Sequence, residues 1–183
     1  LGAVGAVGHT RSPYAGTVAS LQEPIPATHY LVAFAGKEVP VTAYYEPGTT
    51  ELGGAAVDAL GEENQACLLG KDWVIAVGEY EGAAFEVALM VEYVSRIHYQ
   101  ALNAGDPELL AVEEIADLIE LFEGYGRDSD TETAIAEPAT DLRDERETVA
   151  DLGRELLAQG LTEGTGGNLS YRNGDRVAIS PSG

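Results

Sequence analysis

A mixed α/β fold of layered helices and strands is what this sequence predicts, and three observations predict it. Apolar residues recur at helical spacing in three stretches, short apolar runs bounded by turn residues mark strands, and the two kinds alternate irregularly along the chain. With 183 residues, 45% of them hydrophobic, the chain is long enough for one compact domain with a sizeable core and too short for two complete ones.

The opening Leu1 to Gly8 is apolar and Gly-rich, without a basic n-region or a long apolar core, so it reads as an interior strand (Ala3 to Val7) and not as a signal peptide or a membrane span. Further strand signals are Val39 to Ala43, Gln65 to Leu69 and Val74 to Val77. A long helix runs from about Gly82 to Asn103, carrying Phe85, Leu89, Val94 and Ile97, and stops at Gly105-Asp106-Pro107. The next, Glu113 to Glu123, places Ile115, Leu118, Ile119 and Phe122 on one face. Between Gly126 and Asp141 the chain turns polar and acidic with no apolar period, which reads as a linker. A third helix, Leu142 to Gln159, has Asp141 as its expected N-cap, an apolar face of Val149, Leu152, Leu156 and Leu157, and Gly160 as its stop. Last come Asn168 to Tyr171 and Arg176 to Ser180, flanking Asn173-Gly174, a strong hairpin signal.

Thirty-one acidic against ten basic residues give a formal net charge of -21, which repels phosphate backbones and anionic membranes. Neither nucleic acid nor membrane is an expected partner. Such an acid excess is what adaptation to high salt produces, and an acidic soluble surface would read the same way. The single cysteine, Cys67, has no disulfide partner in the chain and sits among Ala66, Leu68 and Leu69, so a buried thiol and a cytoplasmic location are expected.

Gly164-Thr165-Gly166-Gly167-Asn168-Leu169-Ser170 is a glycine-rich turn, and the hairpin brings it towards Ile179-Ser180-Pro181-Ser182-Gly183. Glycines let backbone N–H groups approach an anion, and Asn and Ser add neutral donors, so the two turns could cradle a phosphate. Ordinary tight turns would look the same, and spacing alone favours them.

The stretch "GLTEGTGGNLSYRNGDRVAISPSG" after a helix resembles the N-terminal part of the class II, zinc-dependent aldolase and adducin family, of the fuculose-phosphate aldolase type. Independently, "AVGHTRSPYAGTVASLQEPIPATHYLVAFAGKEVPV", "ACLLGKDWVIAVG", the long helix and the closing "FEGYG" look like the C-terminal part of the same family. The resemblance implies a three-layer α/β/α fold with a mainly antiparallel central sheet. It also implies that the family's segments stand in reversed order, as a circular permutation, a slice across tandem domains or an incomplete domain. On that reading 1–126 is the C-terminal part, 127–141 an acidic linker and 142–183 the N-terminal part with the phosphate-binding turns.

By motif match the resemblance implies Gly167, Asn168, Ser182 and Gly183 as phosphate-binding residues, and Tyr30 and Tyr125 as tyrosines of the catalytic site, Tyr30 acting across a subunit boundary. The family holds zinc with a His-x-His pair on a strand and a histidine in an Asn-His-Gly turn. Here those positions read His9-Thr10-Arg11 and Lys71-Asp72-Trp73, so His9 keeps a ligand position, Asp72 could ligate through oxygen, and Arg11 stands where a ligand is lost. Zinc binding is therefore expected to be absent or weak. Opposite charges at these positions suggest an Arg11–Asp72 ion pair filling the site, or else two residues that drifted independently towards solvent. Trp73 could plug the pocket or pack elsewhere. No Ser-Ser-Glu, which in the family supplies the proton-abstracting glutamate, occurs in these residues. The implied function is that of a sugar-phosphate lyase, cleaving a ketose 1-phosphate to dihydroxyacetone phosphate and an aldehyde, catalytically impaired as written. The alternative is a non-catalytic phosphosugar-binding or interaction module of the adducin type. Homo-oligomers, tetramers by resemblance, are the expected assembly.

Overall fold

The computed structural model describes residues 4–124, 142–162, 164 and 166–181. The chain divides into two compact units, Leu1–Arg127 and Asp128–Gly183. The expected linker, 127–141, lies outside the described residues.

In the first unit, β1 (Ala6–Thr10), β2 (Ala66–Leu68) and β3 (Val74–Gly78) form an antiparallel sheet in the order β1-β3-β2, so β1 is an edge strand. Because strand side chains alternate between faces, Leu68, Val74 and Ala76 point to one side. There they join Val18 and Ala19 of α1 (Pro13–Leu21), Val91 and Val94 of α3 (Glu81–Ala104) and Ile115 of α4 (Val112–Gly124) in the main core. Cys67, Leu69, Ile75 and Val77 point to the other side, against Ala56 and Leu60 of α2 (Thr50–Leu60). The unit is thus a helix layer, a sheet and a second helix layer, as expected. Ile25, Leu68 and Ile115 have at most 1% of their surface exposed, and burying each such side chain contributes about 1.5–3 kcal/mol.

Two expectations are corrected here, and two helices enter that the sequence did not announce. The first strand is Ala6–Thr10, displaced from the apolar run, because the ladder continues through polar His9 opposite Ile75 and Thr10 opposite Val74. The stretch from Val39 to Ala43 makes only isolated bridges, Ile25 to Val39 and Val41 to Leu68; Pro40 has no N–H to extend a ladder. Two helices, α1 and α2, carry no stripe of large apolar residues. The inward face of α1 is Ala15, Gly16, Val18 and Ala19, and Gly53-Gly54 obscures α2 despite a good N-cap, where Thr49 accepts the Leu52 N–H at 3.3 Å.

The second unit packs α5 (Arg143–Ala158) on a hairpin of β4 (Ser170–Asn173) and β5 (Arg176–Ile179). Leu142 occupies the N-cap position of α5, where Asp141 was expected; Asp141 lies outside the described residues. The helix ends in a Schellman motif: Gly160, at φ 66°, donates to the Leu157 carbonyl at 3.1 Å, and Leu161 donates to that of Leu156 at 2.9 Å. Asn173 pairs with Arg176 as the last strand residue, so the loop is Gly174-Asp175, with Gly174 at φ 61°. Val149 and Ala178 are buried, while Tyr171, Val177 and Ile179 stay exposed.

Candidate functional site

Two segments of the first unit hold the positions that the sequence singles out for metal chemistry. β1 presents His9 on the α2 side of the sheet, opposite Ile75, and there it is exposed at the sheet edge. Arg11 follows the strand and is also exposed. The Lys71-Asp72-Trp73 turn joins β2 to β3 and is tied down by its backbone. Leu69 N–H donates to the Trp73 carbonyl at 2.8 Å, Asp72 N–H to that of Leu69 at 2.9 Å, and Lys71 N–H to that of Ala19 on α1 at 3.0 Å. The buried Gly70 N–H donates to Thr42 Oγ1 at 3.1 Å. A side chain at Gly70 would collide with the Thr42–Tyr44 backbone, which is why glycine stands there.

Lys71 adopts a left-handed φ of 61°, uncommon for a residue with a Cβ. Trp73 packs on α1: its ring lies on Gly16, so that a Cβ added there would come within 2.6 Å of Cε3 and Cζ3. Arg11 and Asp72 form no ion pair, contrary to one of the two sequence expectations; the described ion pairs Lys37–Glu63 and Arg154–Asp151 involve neither. The turn's attachments hold Asp72 in place, and an exposed guanidinium would gain only about 0–1 kcal/mol by leaving water for it.

Zinc in a catalytic site takes three protein ligands and keeps one open position. Among the described residues no group of three or more His, Cys, Asp or Glu side chains converges. Arg11, at the neighbouring position expected of a ligand, has no lone pair to offer. The described residues therefore do not fit a zinc ion held by this chain alone.

Tyr30 begins a 3-10 turn, Tyr30–Phe34, whose N-cap His29 accepts the Leu31 N–H through Nδ1 at 3.3 Å. Its ring lies 4.7 Å from that of His29 and 6.3 Å from that of Phe122, and 47% of the residue is exposed. Leu31 and Val32 belong to the main core, so Tyr30 sits in the α3 and α4 layer while His9 faces the α2 side. The fold does not bring the two together within the chain. His98 is buried, its Nδ1 2.7 Å from Thr28 Oγ1. Burial lowers the pKa of both His29 and His98, with Glu23 opposing the shift at His98. Among the described residues neither imidazole belongs to a group of three or more potential metal ligands.

In the second unit Gly167, at φ 81°, and Asn168 are exposed on the glycine-rich turn. Thr162 Oγ1 donates to the Gly166 carbonyl at 2.6 Å, and Leu169 and Ser180 pair beyond the hairpin strands. Tyr125, Ser182 and Gly183 lie outside the described residues. Sequence reasoning missed Glu92, Thr42 and Gly16, which hold α1 and the turn; each acts on a residue distant in the chain, and no local motif announces it.

The sequence profile of the class II aldolase and adducin N-terminal domain matches residues 2–99 and 147–183. A 5-deoxy-D-ribulose 1-phosphate aldolase from Bacillus thuringiensis serovar kurstaki is 40% identical over 124 residues, covering 68% of this chain and 58% of the relative. An L-fuculose phosphate aldolase from Escherichia coli O6:H1 is 35% identical over 123 residues, covering 66% of this chain and 57% of the relative. The chain thus spans less than two thirds of the length of these curated relatives. Among solved structures, an L-fuculose 1-phosphate aldolase superposes with a TM-score of 0.64 at 38% identity, covering 66% of this chain and 56% of that one. YgbL from Klebsiella pneumoniae, described as a putative aldolase/epimerase/decarboxylase, shares the fold with a TM-score of 0.55 at 24% identity, over 64% of this chain and 58% of its own. The profile match over two segments and the 40% identical relative agree: the chain belongs to the class II aldolase and adducin family.

Proposed function

We propose that this chain recognises a ketose 1-phosphate on a class II aldolase scaffold while its carbon–carbon cleavage is impaired. One observation carries the reading: Arg11 and Asp72 occupy the positions that the family resemblance assigns to zinc ligands, and no three-ligand group stands in their place among the described residues. Gly167 and Asn168, with Ser182 and Gly183, are the residues assigned to the sugar's phosphate. Exposed Tyr30, and Tyr125 by resemblance, are those assigned to proton transfer. Since Tyr30 and His9 lie in different layers of the chain, the reading requires a homo-oligomer, a tetramer by resemblance, in which one copy's Tyr30 meets another's His9. The acid excess suits a cytoplasm rich in salt. No helix among the described residues is long and apolar enough to cross a membrane.

The test pairs ligand binding with turnover. L-fuculose 1-phosphate and 5-deoxy-D-ribulose 1-phosphate are titrated by thermal shift and assayed for released dihydroxyacetone phosphate, with zinc per chain measured by elemental mass spectrometry. We expect a thermal shift at saturating sugar phosphate, corresponding to about 2.7 kcal/mol at a hundred times Kd, with substoichiometric zinc and turnover near background. In the Arg11→His, Asp72→His double variant zinc content should rise towards one per chain. Stoichiometric zinc and turnover in the parent would overturn the reading. No thermal shift with either sugar would favour the adducin-like interaction module, which the same ligand positions also suit.

A further inference from the structure

We propose that Glu92 is a positioning residue that sets the geometry of both segments bordering the candidate site. Helix α1 lacks a local cap. Ser12, at its N-cap, makes no capping bond; its hydroxyl lies 2.8 Å from that of Thr10. Pro13 at the first helical position has no N–H to satisfy. The next two donors, Tyr14 N–H and Ala15 N–H, go to Glu92 Oε1 at 3.0 Å and Oε2 at 2.9 Å. A single carboxylate from α3, some 77 residues away in sequence, thus caps α1 with charge-assisted bonds at the helix end that favours an anion.

What α1 then holds is the site. Its N-terminus follows directly on His9-Thr10-Arg11, and its body supports the Lys71-Asp72-Trp73 turn through the Ala19 carbonyl and the Gly16 surface beneath Trp73. Moving the N-terminus of this nine-residue helix moves the junction after β1 and the floor under the turn together. Glu92 acts through α1 and need not touch a ligand. Its importance for ligand binding rests on the reading that these two segments border the sugar-phosphate site.

Trp73 is the chain's one tryptophan, so its emission reports the turn's seat on α1 without any ligand. Glu92→Ala, which keeps good helix propensity in α3, should red-shift Trp73 emission and raise its acrylamide quenching well below the unfolding temperature. Glu92→Gln, which retains one acceptor, should fall between it and the parent. Affinity for L-fuculose 1-phosphate should drop by at least about tenfold in the alanine variant, as displaced site groups lose contacts. A purely stabilising role predicts instead a lower Tm with parental Trp73 emission, quenching and affinity, and that result overturns the proposal. Should the alanine variant fail to fold, the glutamine variant decides by the same spectra. A parent that binds no sugar phosphate defeats the functional reading alone, and the Trp73 spectra still decide whether Glu92 seats the turn.

Discussion

Replacing Gly16 by alanine sets two opposed effects against each other. In a helix interior alanine is favoured over glycine by about 1 kcal/mol. Against that, the new methyl would lie 2.6 Å from two ring carbons of Trp73, well inside ordinary contact distance, and no other rotamer relieves a Cβ. Trp73 must slide off α1 or the turn must lift, and overpacking of this kind costs about 1–3 kcal/mol. The turn resists lifting because Lys71 N–H is bonded to the Ala19 carbonyl one helical turn further along α1. The upper part of that range therefore applies, and Gly16→Ala should be destabilising by about 1–2 kcal/mol net. With Trp73→Ala the obstruction disappears, and the same substitution should stabilise by roughly 1 kcal/mol, so the double-mutant cycle gives a coupling of about 2–3 kcal/mol. Urea denaturation of the four proteins, followed by far-ultraviolet circular dichroism because Trp73 is absent from two of them, measures all the terms. If Gly16→Ala stabilises the parent as much as it stabilises the Trp73→Ala protein, Trp73 does not sit on α1 and the account of the turn fails.

Other substitutions probe the same segments. Thr42→Val removes the acceptor of the buried Gly70 N–H and should cost about 1–3 kcal/mol; Thr42→Ser should retain parental stability, and equal Tm values for all three would show that this bond does not anchor the turn. Tyr30→Phe keeps the ring on His29 and Phe122 and should change stability by less than about 0.5 kcal/mol, while abolishing whatever turnover the Arg11→His, Asp72→His protein regains. Burial keeps His29 and His98 below their ordinary value of 6.5, so on acidification the unfolded chain takes up their protons first. Their contribution is present above pH 6.5 and is lost as pH falls through the folded-state values. His98→Gln should therefore flatten the fall in Tm below that pH relative to the parent, and an unchanged slope would count against a buried neutral His98.

What could be read from the sequence follows the size of the side chains that face inward. The helices α3, α4 and α5 show Val, Leu, Ile and Phe at helical spacing and were expected within a residue or two of their ends. Helix α1 turns Ala15, Gly16 and Ala19 inward, because close approach to Trp73 and the Lys71 N–H demands small residues, and small residues leave no period to see. Its cap was equally hidden, since the usual signal is a residue beside the helix and here it is Glu92 on α3. Pro40 misled in the opposite sense: the apolar run around it has strand composition but cannot carry a ladder.

The candidate site was proposed by motif, and its contacts were not legible in the sequence; the bonding of the turn explains why. The described hydrogen bonds that hold Lys71, Asp72 and Trp73 use their backbone N–H and carbonyl groups, with partners at Ala19 and Leu69. The Thr42 bond likewise reaches Gly70 through its N–H. His9 is placed the same way, by a ladder that any extended residue could join. The side chains of His9, Arg11, Lys71 and Asp72 take no part in these bonds and can be exchanged with little effect on the scaffold, whereas the Trp73 ring rests on Gly16. That independence is why membership of the family survives in the sequence, and why the scaffold alone does not guarantee its chemistry. It also makes the Arg11→His, Asp72→His protein a fair experiment: two exposed or half-buried positions are changed on a backbone that their side chains do not hold together. A gain of zinc there would separate lost ligands from a lost fold.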